Sequence, residues 1–376
     1  MVIEVIEVPA PGEGEAPSPL VEGAAEVWRR WHLHRFGHVD LADAAATVAA
    51  SLGEQQHRHK ALLTAVDDGE VVGVAWLGMP LLDNQHVAEG DITVLPGRDT
   101  VAVTGALWEV VVPRLLAEGR RTVQLWTSHG PGEAAGDRVV PVSGPGRIPR
   151  DSTAEALLAL GFRLEQVERH SQLDVAEALT RLDGLEAEAR AHAGGYEVLS
   201  WVGFTPEELR EDMAEVMGHM ATDVPSGELE LEPEQWTAGR VADTERVVDR
   251  TGRTRVTTVA RHRDSGRLVA YTIIDHPRDK PAVGYQEDTL VVREHRGHRL
   301  GMLVKAANLR TLAEHLPHVR RIHTWNAGEN APMLAINHAL GFRDVSLEGG
   351  WQVTGLDRRP AGDPSRAAAD GSTLEV

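Results

Sequence analysis

The sequence predicts an α/β protein made of two tandem copies of one mixed α/β unit. Three observations lead to this prediction: the chain length, an order of elements that occurs twice, and one strand-turn-helix segment rich in Gly and Arg. At about 150 residues per domain, the 376 residues correspond to roughly two domains. The composition, 42% hydrophobic and 25% charged, is that of an ordinary globular protein.

The two halves share one order of elements. A hairpin turns near Asp68 in the first half and near Ser265 in the second. Each hairpin precedes a strand (DITVLP, DTLVVR), a helical stretch, a short strand (VQLWTS, RIHTWN) and a second helix. Each half then contains a Leu-Gly-Phe motif, which ends at Phe162 in the first half and at Phe342 in the second. A duplicated unit explains this order better than two unrelated domains do.

The domain boundaries follow from composition. A charged helical run from about 176 to 192 stops at Gly194 and Gly195, where a new strand begins. We therefore expect a first domain over 1–192, a second over 193–357, and a disordered tail over 358–376, which is small, polar and aperiodic.

The composition excludes several classes of function. Cys is absent, so disulfide scaffolds, Cys-ligated metals and thiolate nucleophiles are excluded. The net charge of −19 disfavours nucleic acids and anionic membranes and favours cationic partners. Neither a signal peptide nor a run of about 18 apolar residues is recognisable, so we expect a cytoplasmic protein without a membrane span. A homodimer is compatible with these properties.

The segment DTLVVREHRGHRLGMLVK, residues 288–305, concentrates the chemistry. A strand runs into a turn with two glycines and then into a helix, which directs free backbone N–H groups at one point and suits a phosphate. The alternative is an ordinary helix start with a solvated basic face. We expect local positive charge at this turn from Arg293, Arg296, Arg299 and Lys305. The predicted core-facing stripe of the helix is Met302, Ala306, Leu309, Ala313 and Leu316.

Residues Arg296 to Gly301 resemble the Arg/Gln-x-x-Gly-x-Gly/Ala signature of the GNAT acetyltransferase superfamily. The resemblance covers about 196–357 and extends to the first half in architecture only. It implies a sheet in which two strands diverge, with the arm of acetyl-CoA between them and its pyrophosphate on the turn. One departure is that Arg299 stands at the central Gly of the signature.

The resemblance also implies which residues contact acetyl-CoA. Backbone groups of the strand would meet the pantetheine arm, the turn would hold the pyrophosphate, and one Asn side chain would contact the arm. The strand residues are Thr289, Leu290 and Val291. The turn residues are Arg296, Gly297, His298, Arg299, Leu300, Gly301 and Met302, and the asparagine is Asn330. For Asn326 and Asn330 the alternative role is helix capping.

Acetyl transfer to an amine needs a base, and a source of a proton for the leaving thiolate. Asn337 stands where many GNAT relatives have a Tyr proton donor, and Asn has no usable acid pKa. Alternation along the strand places Glu287 and Asp288 on opposite faces, Glu287 on that of Thr289. Glu287 is therefore the leading candidate base, acting through water, and its alternative is a carboxylate at a sheet edge. Further candidates are His323 and His338.

The first half lacks the turn chemistry. Its equivalent segment, residues 99–104, has no Gly and begins with Asp99 where the second half has Arg296. A carboxylate there would repel a pyrophosphate, so we expect a degenerate copy that serves packing, substrate shape or dimerisation. Five histidines also cluster in this half, and without matching carboxylates they predict surface or interface positions and no metal site. They are His32, His34, His38, His57 and His59.

Together these features predict an N-acetyltransferase in which the second half binds acetyl-CoA, without a metal, and a bound primary amine of a small molecule or peptide attacks the thioester directly. A non-catalytic acyl-CoA-binding sensor is the alternative. Acyl transfer to a thiol or alcohol is a third possibility within the enzyme class.

Overall fold

The computed structural model describes residues 2–12, 14–130, 136–142, 144–220 and 227–358. The predicted tail therefore lies outside the described residues, apart from its first residue. The strands within the described ranges are β1 Glu4–Val8, β2 Arg58–Asp67, β3 Glu70–Pro80, β4 Val87–Val94, β5 Thr122–His129, β6 Arg138–Val139, β7 Ile148–Pro149, β8 Arg163–Asp174, β9 Tyr196–Val202, β10 Arg253–His262, β11 Leu268–Pro277, β12 Val283–Val291, β13 Arg321–Ala327 and β14 Arg343–Val353. The helices there are α1 Pro19–Phe36, α2 Ala45–Gly53, α3 Thr100–Ala117, α4 Ser152–Ala159, α5 Val175–Ala191, α6 Arg210–Gly218, α7 Ala238–Arg250, α8 Leu300–His315 and α9 Ala331–Leu340.

The repeated order of elements is confirmed. Strands β2 and β3 form a hairpin whose two-residue loop, Asp68 and Gly69, has φ of 53° and 79°. Positive φ at both loop residues is typical of a type I′ turn, which Asp-Gly favours. Strands β10 and β11 form the corresponding hairpin of the second half.

Twelve strands form one mixed sheet in the order β1-β2-β3-β4-β5-β14-β8-β13-β12-β11-β10-β9. The last strand of each half has crossed into the other half. Strand β14 lies between β5 and β8, and β8 lies between β14 and β13. The halves are therefore joined by a strand exchange, which the sequence analysis did not predict.

The exchange also divides the cores between the halves. The core of the second half includes Leu173, Val175 and Leu182, which come from β8 and α5. The core of the first half includes Trp351 and Val353 from β14. The domain boundary between residues 192 and 193 stays a prediction. In space, each core contains side chains from both halves of the chain.

Helix α8 is buried more completely than one apolar stripe predicts. Met302, Ala306 and Leu309 are buried as expected, but so are Val304 and Lys305 on other sides of the helix. Helix α5 packs against α8, which also contacts β9 to β12. The Lys305 ammonium is therefore held in the protein interior, and the prediction that it adds charge to the turn is wrong.

Helix α3 is long and apolar enough to span a membrane, so the expectation that no segment reaches this limit is wrong by length and composition. In this fold Val103, Leu107 and Val111 on one face of α3 are completely buried in the core of the first half. The same apolar sequence thus forms the helix that covers strands β2 to β4.

Candidate active site

Strands β12 and β13 diverge in the middle of the sheet. Their parallel pairing covers Val283 to Tyr285 of β12 and no later residue of that strand within the described chain. A cavity of about 240 Å³ opens where the pairing stops. Its lining residues are Glu168, Met220, Gln286, Glu287, Asp288, Thr289, Trp325, Asn326, Ala327, Asn330 and Met333. The predicted gap between two strands of the second half is thus present.

A β-bulge determines where the two candidate catalytic carboxylates point. Thr289 pairs with Thr272 and Gln286 with Ile274, so Glu287 and Asp288 together oppose one residue of β11. The extra residue shifts the alternation of faces. Strict alternation therefore no longer separates Glu287 from Asp288, and both line the cavity together with Gln286 and Thr289.

Neighbouring contacts identify the two faces of β12. Thr289 Oγ1 lies 2.7 Å from Thr272 Oγ1, on the face covered by α8. The Tyr271 hydroxyl donates to Asp288 Oδ2 over 3.3 Å, and Tyr271 packs with Met213 of α6 on the opposite face. Asp288 therefore lies on the α6 face. Gln286 Nε2 donates to Thr272 Oγ1 over 3.0 Å, so Gln286 lies on the α8 face and alternation places Glu287 on the α6 face. The predictions that the two carboxylates lie on opposite faces and that Glu287 shares a face with Thr289 are wrong.

The surroundings of Glu287 favour a proton acceptor that works near neutral pH. Burial, reinforced by the negative charge of Asp275, raises the pKa of Glu287 to about 7, although Arg253 opposes the shift. Burial also raises the pKa of Asp288. A carboxylate whose pKa lies near the working pH is well matched to general base catalysis.

Glu168 reaches the same cavity from the other half of the chain, on the exchanged strand β8. Burial and then the charge of Glu348 raise the pKa of Glu168 to about 7. The sequence analysis missed this residue because no local sequence pattern in β8 indicates that this strand pairs with strands of the second half. A signal was present, since Glu168 and Glu348 each lie six residues after the Phe of their Leu-Gly-Phe.

The Arg296 to Gly301 turn leads to a helix N-terminus without a side-chain cap. Arg299 is the N-cap of α8, with φ 54°, and its own side chain accepts no hydrogen bond from the first turn. The corresponding helix α3 is capped, because Asp99 Oδ1 accepts from Ala102 N over 3.1 Å. The two halves thus differ in whether the helix N-terminus is available to an anion.

The glycines of the turn have different roles. Gly297 has φ 87° and open space where a side chain would stand. At Gly301, a Cβ atom would lie 2.9 Å from Ile336 Cδ1, so this glycine allows α8 and α9 to pack closely. The Arg296 Nε donates to the Val291 carbonyl over 3.1 Å, which fixes the turn to the end of β12.

The asparagines of the second half stabilise the region around the cavity. Asn330 caps α9, accepting from Met333 N over 3.4 Å, and also lines the cavity. Asn337 is buried and donates to Asn326 Oδ1 over 2.6 Å. This hydrogen bond holds the Asn326 side chain at the cavity wall.

The candidate histidines lie elsewhere. His323 is fully buried between Asp40 and His170, and His338 is exposed beside Asp344. Neither lines the cavity. The five histidines of the first half do not form one cluster, although His32 and His38 both pack on the Phe36 ring. His57, for example, contacts Asp243 of the second half at 3.1 Å. The described residues contain no group of three or more His, Asp or Glu side chains arranged to hold a metal.

Comparisons with known proteins agree with the fold. A solved tandem GNAT protein from the clavulanic acid biosynthesis pathway matches with a TM-score of 0.70 and 26% identity, over 94% of this chain and 99% of that one. A GCN5-related N-acetyltransferase from Sphaerobacter thermophilus matches with a TM-score of 0.59 and 12% identity, over 96% and 97% of the chains. No family model and no curated protein sequence matches. The predicted resemblance and the tandem mixed α/β fold are confirmed.

Proposed function

We propose that this chain, a tandem GNAT protein by its fold, transfers an acetyl group from acetyl-CoA to an amine in its second half. One observation carries the proposal. The gap between β12 and β13 holds the carboxylates of Glu287 and Asp288, and β12 leads from there to the uncapped N-terminus of α8. An acceptor-side base and an anion-binding helix start thus belong to one strand-turn-helix segment.

The residues present fit acetyl-CoA. On the side where β13 has diverged, backbone groups of Thr289 to Val291 have no ladder partner within the described chain, and a pantetheine arm can pair with them. The turn from Arg296 to Met302 would receive the pyrophosphate through backbone N–H groups. Asn330 at the cavity wall would contact the arm.

The thioester of acetyl-CoA supplies the activated acetyl group. Glu287 accepts a proton from the incoming ammonium through water, which leaves a neutral amine to attack the carbonyl carbon. The C–N bond forms as the C–S bond breaks, and the second proton lost by the attacking nitrogen passes through water to the departing thiolate, because Asn337 is buried and has no acidic proton. Asp288, held by the Tyr271 hydroxyl, shapes the acceptor side of the bulge.

The charge of the cavity selects the acceptor. Glu168, Glu287 and Asp288 line it, and all three are carboxylates in a partly desolvated site. Such a site attracts a cation and disfavours an anion. The acceptor is therefore a cationic small molecule or a peptide amino terminus.

The direct test is to incubate the full chain with acetyl-CoA and a panel of primary amines and to follow the release of free thiol. Turnover with at least one amine supports the proposal. If calorimetry finds acetyl-CoA binding but no amine is ever acetylated, the chain is an acyl-CoA sensor. Absence of acetyl-CoA binding by a folded chain contradicts both.

A further inference from the structure

The first half contains a cavity of about 680 Å³ that the proposed reaction does not use. It lies between α1, α2 and the diverging strands β4 and β5. Four Trp side chains, Trp28, Trp31, Trp76 and Trp126, contribute to its lining. Its volume is within the range of sites for small organic ligands.

This cavity lacks the features that suit a pyrophosphate. The N-terminus of α3 beside it is capped by Asp99, whose carboxylate would repel an anion. Arg98 is held by Asp67 at 2.9 Å and by Glu70 at 2.5 Å. The cavity is therefore suited to another class of ligand.

Two carboxylates in the lining, Asp91 and Glu348, have no ion-pair partner among the described residues. Asp91 Oδ2 accepts from Trp28 Nε1 at 3.2 Å and from Thr93 Oγ1 at 2.9 Å. Glu348 accepts from Ser128 Oγ and, at 3.3 Å, from Trp325 Nε1. These neutral donors satisfy oxygen atoms but leave the negative charge uncompensated.

The other lining side chains of Asp and Arg are paired. Arg35 contacts Asp151 at 2.9 Å. Arg98 contacts Asp67, as described, and Asp43 contacts Lys280 at 2.9 Å. The uncompensated charge of the cavity is therefore negative and comes from two residues. Burial raises the pKa of both Asp91 and Glu348, and the charge of Asp91 adds to the shift at Glu348.

The indoles complete the recognition of a cation. Trp28 and Trp76 are arranged edge to face, with ring centroids 6.4 Å apart. Each of the four indoles is half-buried, so part of its surface is covered by protein while part lines the cavity. The Arg35 guanidinium already lies 5.7 Å from the centre of the Trp31 ring, so Trp28, Trp76 and Trp126 are the indoles left for a ligand cation. Aromatic faces attract ammonium groups, and more strongly in a desolvated site.

We propose that the first-half cavity binds an organic ammonium ion, with its charge at Asp91 and Glu348 and its apolar part against the Trp side chains. The first half thus contains a cavity but lacks an uncapped helix N-terminus like that of α8. This inference does not depend on the proposed acetyl transfer, because the cavity and its carboxylates belong to a separate set of residues.

The test uses calorimetry on the full chain with phenethylammonium and benzyltrimethylammonium as probes. We expect saturable binding of one cation per chain to this site, weakened at least tenfold by Asp91→Asn and by Glu348→Gln. Glu109→Gln, at an exposed position of α3, is the matched control and should leave this binding unchanged. The anion 3-phenylpropanoate, of similar size, should not bind.

Several outcomes overturn the inference: no saturable cation binding by the wild-type chain, equal affinity in folded Asp91→Asn and Glu348→Gln variants, or equal binding of the anion. Two acetyl-CoA molecules per chain, with one lost in Asp91→Asn, would make the cavity a second acyl-CoA site and also reject it. Because thiol release is measured separately, failure here leaves the proposed transferase intact, and the reverse also holds.

Discussion

Glu168 and Glu348 stand directly opposite each other across strands β8 and β14, at the centre of the twelve-stranded sheet. Each lines the cavity of the other half, Glu168 that of the second half and Glu348 that of the first. The strand exchange thus gives each cavity one carboxylate from the opposite half of the chain. Neither cavity is built by its own half alone.

The first prediction concerns the base. Glu287→Gln should lower turnover by about 10² to 10⁴, the range of a positioned base, while calorimetric affinity for acetyl-CoA changes little. Since the pKa of Glu287 is raised to about 7, wild-type turnover should rise through that pH as the carboxylate ionises. The pH profile of Glu287→Gln should lack this rise in turnover. Its loss of turnover relative to wild type should become smaller as pH approaches the pKa of the amine.

Asp288→Asn is the matched comparison for Glu287→Gln. It removes a carboxylate from the same bulge, but one already engaged by the Tyr271 hydroxyl. We expect about a tenfold loss of turnover, smaller than that of Glu287→Gln. If the order of the two variants is reversed, Asp288 is the base.

The second prediction is that Glu168→Gln raises KM for a cationic amine about three- to tenfold with a smaller change in kcat. The carboxylate lines the cavity and attracts the acceptor without taking its proton. Steady-state kinetics over a range of amine concentrations measures the split, with Glu109→Gln as the surface control. An unchanged KM would place the amine away from β8.

The third prediction addresses the turn. Arg299→Asp places a carboxylate at the start of α8, as Asp99 does at α3, and should weaken acetyl-CoA binding at least tenfold. Arg299→Gly should bind at least as tightly as wild type, because glycine adopts the positive φ of this position readily. Calorimetry on both folded variants measures their affinity for acetyl-CoA. An affinity of Arg299→Asp equal to that of wild type would show that the pyrophosphate does not bind at this turn.

The fourth prediction concerns Lys305, whose pKa burial lowers to about 7. Below that pH the folded state holds a buried charge, and between about 7 and the usual Lys pKa of 10.5 folding must release a proton. The free-energy cost of burying Lys305 on folding therefore falls as pH rises. Lys305→Met should raise Tm by at least about 2 °C at pH 7, and its advantage should shrink by pH 9.5. Lys305 Nζ lies 5.6 Å from the centre of the Phe342 ring, and a variant less stable at pH 7 would show that this contact outweighs the cost of burying the ammonium.

The fifth prediction is that neither half folds alone. A fragment of residues 193–376 lacks Leu173, Val175 and Leu182, which are buried in the core of the second half. Losing several such side chains, at about 2 to 5 kcal/mol each, exceeds the stability of an ordinary domain. Circular dichroism melts of 1–192 and 193–376 should show no cooperative transition separately, and one transition when the fragments are refolded together. A cooperative melt of either fragment alone contradicts the shared cores.

Local signals made much of the fold predictable. Asp68 and Gly69 specify a hairpin by their turn chemistry, and the order of elements up to Phe162 and Phe342 repeats. The bulge at Glu287 was not predictable, because an extra residue in one strand depends on the register with β11. The exchange of β8 and β14 was hidden for a related reason. Both strands are long enough to pair with either half, and only the packing of the whole chain decides between them.

The exchanged strands also impose an order on synthesis. Strand β14 ends at Val353, yet it fills the place between β5 and β8. While the chain leaves the ribosome, β5 keeps an open edge and β8 has neither of its neighbours until the last part of the chain emerges. Closure of the sheet is then a late, long-range event, and such topologies fold slowly with exposed pairing edges. We expect nascent chains stalled before Arg343 to engage chaperones, and full-length chains to be released from them.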